Sequence, residues 1–375
     1  MKIGIVTYWW SQCNYGQVLQ AYALQRILAL RGHKPFTIRY NHSLESLSFG
    51  YLFRKWPMIC WHRLGRLLRL RVDMVNGERE AERDFDGFRV RNMKWSERTY
   101  SSIRELCANP PACDICITGS DQVWNPQLWG RPYVNRVHFL DFGPERMRRI
   151  AFSASIGVPK FPLLMRRQIA RLLRRFDGIS VRESSSVPVL KGLSAGEVEV
   201  MQDPTLLAGR ETFAELVRKG RRPVEGRYCF VYIIGDRAQF PLRQILDFAE
   251  RRGLTPVFCL SGFTAEVENR KLSIEDWLCT MAHADYVITN SFHGTVFSVL
   301  NERPFANLPL KGAARCLSSR IVDLLKHLGV GLRYYDEARG FPEEQIDFSV
   351  AHAALDADRW AMNRFLKRIE VGVDE

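Results

Sequence analysis

Five short clusters in the 375-residue chain combine residue types that bind anions or move protons. In Thr289-Asn290-Ser291-Phe292-His293-Gly294-Thr295, His293 stands beside small and polar residues, just before an apolar run at 296–300. An imidazole there can donate to a phosphate or transfer a proton near neutral pH. In Thr118-Gly119-Ser120-Asp121-Gln122-Val123-Trp124-Asn125, Asp121 lies in a Gly-Ser turn and can act as a general acid or base, or clamp a sugar hydroxyl. Ser180-Val181-Arg182-Glu183-Ser184 offers a guanidinium whose fork matches a phosphate or carboxylate. Ser153-Ala154-Ser155-Ile156-Gly157 is small and rich in hydroxyls. In Asn14-Tyr15-Gly16-Gln17, Asn14 suits a helix N-cap and Gly16 allows close backbone approach, so free N–H groups there can hold an anion. Ser318-Ser319-Arg320 opens a further helix with anion-friendly residues.

Each cluster also has a purely local use. Asn14 can be an ordinary cap, Asp121 a turn residue, Arg182–Glu183 a surface pair and His293 a satisfied structural side chain. Their shared position argues for more, because each follows a candidate strand. Strands are expected at 2–7, 36–40, 114–118, 149–153, 178–181 and 198–202, and a second series at 228–234, 255–260, 285–289 and 305–308. Helices are expected near 17–31, 78–93, 163–175, 238–252, 274–283, 294–301, 315–328 and 355–369. Alternating strands and helices imply parallel sheets covered on both faces. The two series imply an α/β chain of two Rossmann-like halves: residues 1–205, residues 206–340, and a C-terminal loop and helix at 341–375 packing back on the first half. Ligands of such sheets bind beyond the carboxyl ends of the strands, where the clusters lie.

Composition narrows the class. Hydrophobic residues make up 46% and charged residues 25%, as in an ordinary globular protein. No apolar run has membrane-spanning length and the start does not read as a signal peptide, so a cytoplasmic protein is expected. The nine cysteines are scattered, which suits reduced thiols. Cys113 and Cys116 form a CxxC, but a strand through them would point the thiols to opposite faces. No DxD, HExxH or paired His–carboxylate spacing stands out, and no P-loop or nucleophile elbow follows a candidate strand, so neither a metal nor a cofactor is expected. The net charge of +13 is concentrated in two stretches, 51–72 and 160–175, each with six Lys or Arg and no acid. No nucleic-acid-binding motif accompanies them. For 51–72, with Trp56 and Trp61 among its cations, an anionic membrane surface is the expected partner beside a plain solvated helix. For 160–175 a solvated helix face is expected.

Five motifs in order strongly resemble the polysaccharide pyruvyl transferase family over roughly residues 1–330. They are Asn14-Tyr15-Gly16-Gln17-Val18-Leu19-Gln20-Ala21-Tyr22-Ala23-Leu24-Gln25, Gly119-Ser120-Asp121-Gln122-Val123-Trp124-Asn125, Ser180-Val181-Arg182-Glu183, Asp203-Pro204-Thr205-Leu206-Leu207 and Asn290-Ser291-Phe292-His293-Gly294. The resemblance implies a GT-B-like fold, two Rossmann-like domains facing across a cleft. It implies transfer of a pyruvyl group from phosphoenolpyruvate to a sugar of a polysaccharide or its lipid-linked precursor, as a ketal, with phosphate released. By resemblance, Arg182 and His293 bind the donor or act in catalysis. Many members carry Ser-Arg-x-His where this chain has Asn290-Ser291-Phe292-His293, so that arginine is absent and Arg320 or Arg315 is left to supply its charge.

The catalytic expectation is His293 as acid and phosphate partner, Asp121 as base or acceptor-orienting group, with these two roles exchangeable, and Arg182 on the donor. Asn14, Tyr15, Gly16, Gln17, Ser120, Asn125, Ser155, Asn290, Ser291, Gly294, Ser319 and Arg320 are expected to line the substrates. Two alternatives stay open: a GT-B glycosyltransferase using a nucleotide sugar, and a non-catalytic peripheral membrane component of glycan assembly at the inner face of the plasma membrane.

Overall fold

The computed structural model describes residues 1–41, 83–128, 133–234, 240–261, 267–309 and 318–371. The basic stretch 51–72, for which a membrane contact is expected, and Arg315 lie outside the described residues.

Eleven described strands form two parallel sheets. The first contains β1 (Lys2–Val6), β2 (Lys34–Tyr40), β3 (Trp95–Tyr100), β4 (Ile115–Gly119), β5 (Arg148–Ala154), β6 (Gly178–Val181) and β7 (Val198–Val200), in the order β3-β2-β1-β4-β5-β6-β7. The second contains β8 (Tyr228–Ile233), β9 (Thr255–Leu260), β10 (Tyr286–Thr289) and β11 (Phe305–Asn307), in the order β11-β10-β8-β9. Their central strands are apolar and buried along their length, as ICITG in β4 and YCFVYI in β8 illustrate. Such runs suit a sheet covered on both faces. The α/β architecture of two Rossmann-like units follows.

The edge strand β3 is not expected from the sequence. Its residues, WSERTY, are mostly polar and three of them, Glu97, Arg98 and Thr99, are exposed, so they lack the apolar signature of a central strand. The CxxC expectation also changes. Cys113 precedes β4 instead of lying in it, and its thiol is held below its ordinary pKa chiefly by a hydrogen bond with Cys116.

Chain order reverses between β1 and β4, which places a crevice at their carboxyl ends. The Tyr15–Leu30 helix starts there, capped by Asn14, whose side chain accepts from the Gln17 N–H. This helix carries apolar residues nearly all round, because it is buried between the two units. Tyr15 stacks on Trp277 of the second unit at 5.0 Å, and its hydroxyl donates to the Leu272 carbonyl at 2.7 Å. One continuous cluster of buried residues, including Tyr15, Leu19, Phe213, Trp277 and Phe297, runs from one unit into the other. The final helix, Ser349–Val371, returns to the first sheet and buries Met362, Phe365, Leu366 and Ile369 against Ile3, Ile5 and Ile150.

Candidate functional site

The site is built where the carboxyl ends of β4, β5, β6 and β7 meet the loop after β10. Its hub is Asp203, which lies three residues past the end of β7 and is fully buried. Its side chain caps the short Pro204–Ala208 helix, with Oδ1 accepting from the Thr205 N–H at 3.0 Å and the Thr205 hydroxyl at 2.7 Å. Its Oδ2 accepts from the Ser120 hydroxyl at 2.5 Å and from Arg182 Nη1 at 3.1 Å, and lies 3.5 Å from His293 Nε2. Five motifs far apart in sequence therefore contribute residues in or against one buried constellation. Gly16 completes it: a methyl group there would overlap the His293 imidazole, so only glycine lets the first helix reach the histidine.

Arg182 leaves β6 almost fully buried. Its Nε donates to Glu183 Oε1 at 3.0 Å, and its guanidinium lies 4.5 Å from the centre of the Phe292 ring. The fork that suits a ligand's phosphate is turned instead onto Glu183 and Asp203. These acids flank it because β6 and β7 are neighbours in the sheet. Nη2 is buried and has no hydrogen-bond partner among the described residues. Burial alone would weaken the charge of Arg182, but Glu183, Asp203 and Asp121 raise its pKa further than burial lowers it. Burial likewise pushes the Asp203 pKa up, and His293, Arg182 and Ser120 outweigh it, holding the carboxyl far below the usual range.

The other expected residues divide by what they touch. Ser155 donates to Glu183 Oε1 at 2.8 Å and so supports the acid beside Arg182. Asp121 follows Ser120 in a backbone with φ of 62° and 25° respectively, both in the left-handed region. Two consecutive non-glycine residues there are strained, which is common where a side chain is held for function. The Asp121 carboxylate accepts from the Gln122 N–H at 2.8 Å and remains partly exposed. Asn125 donates to the Gln122 side chain. Ser291 caps the Phe292–Leu300 helix, whose first turn carries His293 and whose positive end faces the cluster. Gly294 packs against Thr289, and Asn290 both accepts from the Ile234 N–H and donates to its carbonyl. Tyr15 is in the core, and Gln17 accepts from the Ser11 N–H. These contacts make Tyr15, Gln17, Asn290 and Gly294 supports of the loops. Ser319 and Arg320 lie in the Ser318–His327 helix. The Arg320 guanidinium is 5.9 Å from the Phe292 ring and lines, with Arg182, Glu183, Gln202 and Phe292, a small cavity of about 50 Å³.

Asp203 and Glu183 stand within the motifs but are not among the expected site residues. Asp203 directly follows the strand expected at 198–202, and the positional rule that singles out the other clusters picks it out too. Glu183 looks like half of a surface pair, whereas it is buried.

The family model described as polysaccharide pyruvyl transferase matches residues 14–311. No curated protein matches the sequence. Among solved structures, UDP-N-acetylglucosamine 2-epimerase from Rickettsia bellii is similar with a TM-score of 0.55 at 10% identity, over 100% of this chain and 97% of that one. The UDP-GlcNAc 2-epimerase of Methanocaldococcus jannaschii is similar at 10% identity over 95% and 92% of the chains, with a TM-score of 0.48. The calicheamicin glycosyltransferase CalG4 is similar at 15% identity over 96% and 93%, with a TM-score of 0.43. At such identities the likeness concerns the fold, which is of the GT-B kind.

Proposed function

The chain belongs to the polysaccharide pyruvyl transferase family, and from that premise we propose that it moves a pyruvyl group from phosphoenolpyruvate onto two hydroxyls of a sugar in a polysaccharide or its lipid-linked precursor. The observation that carries this reading is the buried Arg182–Asp203–His293 constellation at a helix N-terminus. A small donor bearing a phosphate and a carboxylate needs cationic donors in a dry setting. Arg182 Nη2, His293, Arg320 and the positive end of the Phe292–Leu300 helix provide them.

The chemistry then runs as follows. His293 gives a proton to the methylene carbon, and the central carbon gains cationic character. A sugar hydroxyl attacks that carbon while Asp121 takes its proton, and the bond to the phosphate oxygen breaks. The second hydroxyl closes the ketal, and its proton leaves with the phosphate. Asp203 accepts from Arg182 and lies 3.5 Å from His293 Nε2, so one carboxylate positions both side chains.

The test incubates the purified chain with phosphoenolpyruvate and a panel of free and lipid-linked glycans, reading phosphate release and the mass of the glycan. The expected result is release coupled to a ketal-linked pyruvate, and a rise in melting temperature with phosphoenolpyruvate but not with nucleotide sugars. Stabilisation by a nucleotide sugar alone would favour the glycosyltransferase alternative. His293→Ala is expected to lower turnover by about 10²-fold or more.

A further inference from the structure

The Leu163–Leu173 helix has a feature that the site does not use. Its inner face packs Ile169, Ala170, Leu172 and Leu173 into the core of the first unit. At its start, Leu163 and Leu164 are 78% and 98% exposed. At about 100° per residue, both leucines fall in one outward arc with Arg167, Arg171 and Arg174. These arginines are exposed, as are Lys160 and Arg166 beside them. Among the described residues none of these five cations forms an ion pair with a carboxylate, and residues 159–176 contain no acid. Arg175, at the far end, is the exception and pairs with Asp141. A solvated helix face accounts for the arginines but not for two adjacent bare leucines among them.

We propose that this helix start and outer face dock on an anionic lipid bilayer, with Leu163 and Leu164 entering the headgroup boundary and the cations resting on lipid phosphates. Exposed apolar residues ringed by unpaired cations match an anionic interface in both chemistry and charge. The topology supports it further. The helix follows β5 in a parallel sheet, so it begins on the side of the carboxyl ends, where Ser155 and Arg182 enter the site. A membrane held there would lie on the same side of the sheet as the site. The inference is independent of the identity of the donor.

The test is co-sedimentation of the purified full chain with vesicles of phosphatidylcholine alone, or of equal parts phosphatidylcholine and phosphatidylglycerol. Wild type is expected to bind only the anionic vesicles and to be released by salt. Leu163→Ser with Leu164→Ser, and separately Arg166→Gln with Arg167→Gln and Arg171→Gln, are each expected to weaken binding by about tenfold or more. Because all five side chains are exposed, the melting temperature should not change. Absence of wild-type binding, or binding by either variant equal to that of wild type, overturns the proposal. So does loss of all binding only when Arg63, Arg66, Arg69 and Arg71 are changed to Gln, since that would assign the contact to 51–72.

Discussion

Arg182, Asp203 and His293 show how burial changes the meaning of a substitution. From the motif alone, Arg182→Ala should abolish transfer and leave the fold intact. In the structure it would strand the Asp203 and Glu183 carboxylates in the interior, and breaking a buried pair in this way costs about 3–5 kcal/mol. His293→Ala is therefore the cleaner probe of chemistry. Gly16 gives a second residue-scale test. In an ordinary helix Gly→Ala stabilises by about 1 kcal/mol, but here the added methyl meets the His293 ring. Gly16→Ala is expected to lower turnover and to fail to raise the melting temperature; a more stable variant with normal turnover would refute the close approach. Asp203 predicts a pH effect. Its folded pKa lies below the value of about 3.9 of an unfolded chain, so its contribution is present above about pH 4 and is lost as pH falls further. Asp203→Asn, though less stable at neutral pH, should show a shallower fall in melting temperature between about pH 5 and pH 3. An acid limb parallel to that of wild type would show that Asp203 is not held ionised by its neighbours.

At the scale of elements, the final helix matters beyond its own propensity. Phe365 sits 6.3 Å from the Phe152 ring, and a Cβ at Gly178 would lie 3.3 Å from its ring edge, so it fills the space over the starts of β5 and β6. Arg31 grips Glu370 from the first helix, with Nε and Nη2 donating to its two oxygens at 2.6 and 2.7 Å. Phe365→Ala is expected to cost about 3–5 kcal/mol, measured by chemical denaturation, and a loss below about 1 kcal/mol would mean that the helix is only loosely seated. Regular elements such as β6, β9 and the Ile274–His283 helix are legible in the sequence because apolar period and cap signals agree. The Ile103–Ala108 and Ala214–Lys219 helices are not, because six residues give too short a period to read.

Across the whole molecule, the two units share a core instead of merely facing one another. Tyr15, Leu19 and Tyr22 of one side belong to the same buried cluster as Phe213, Trp277 and Phe297 of the other. Calorimetry is accordingly expected to show a single cooperative transition, and two separated transitions would mean that the shared core does not couple the units. Strand–helix alternation and the order of the motifs were enough to specify the α/β class, two Rossmann-like units, the family, and the strand ends at which the motifs gather, because these depend on local periodicity and residue type. The convergence of Ser120, Arg182 and His293 on the buried Asp203 carboxylate was decided only by the tertiary structure. So were the turning of the Arg182 fork away from solvent and the exposure of Leu163 and Leu164. Each depends on which strands lie side by side and which helix face is covered, and these contacts join residues far apart in the chain, as Ser120 and Asp203 are at 83 positions, where local sequence carries no signal of the partner.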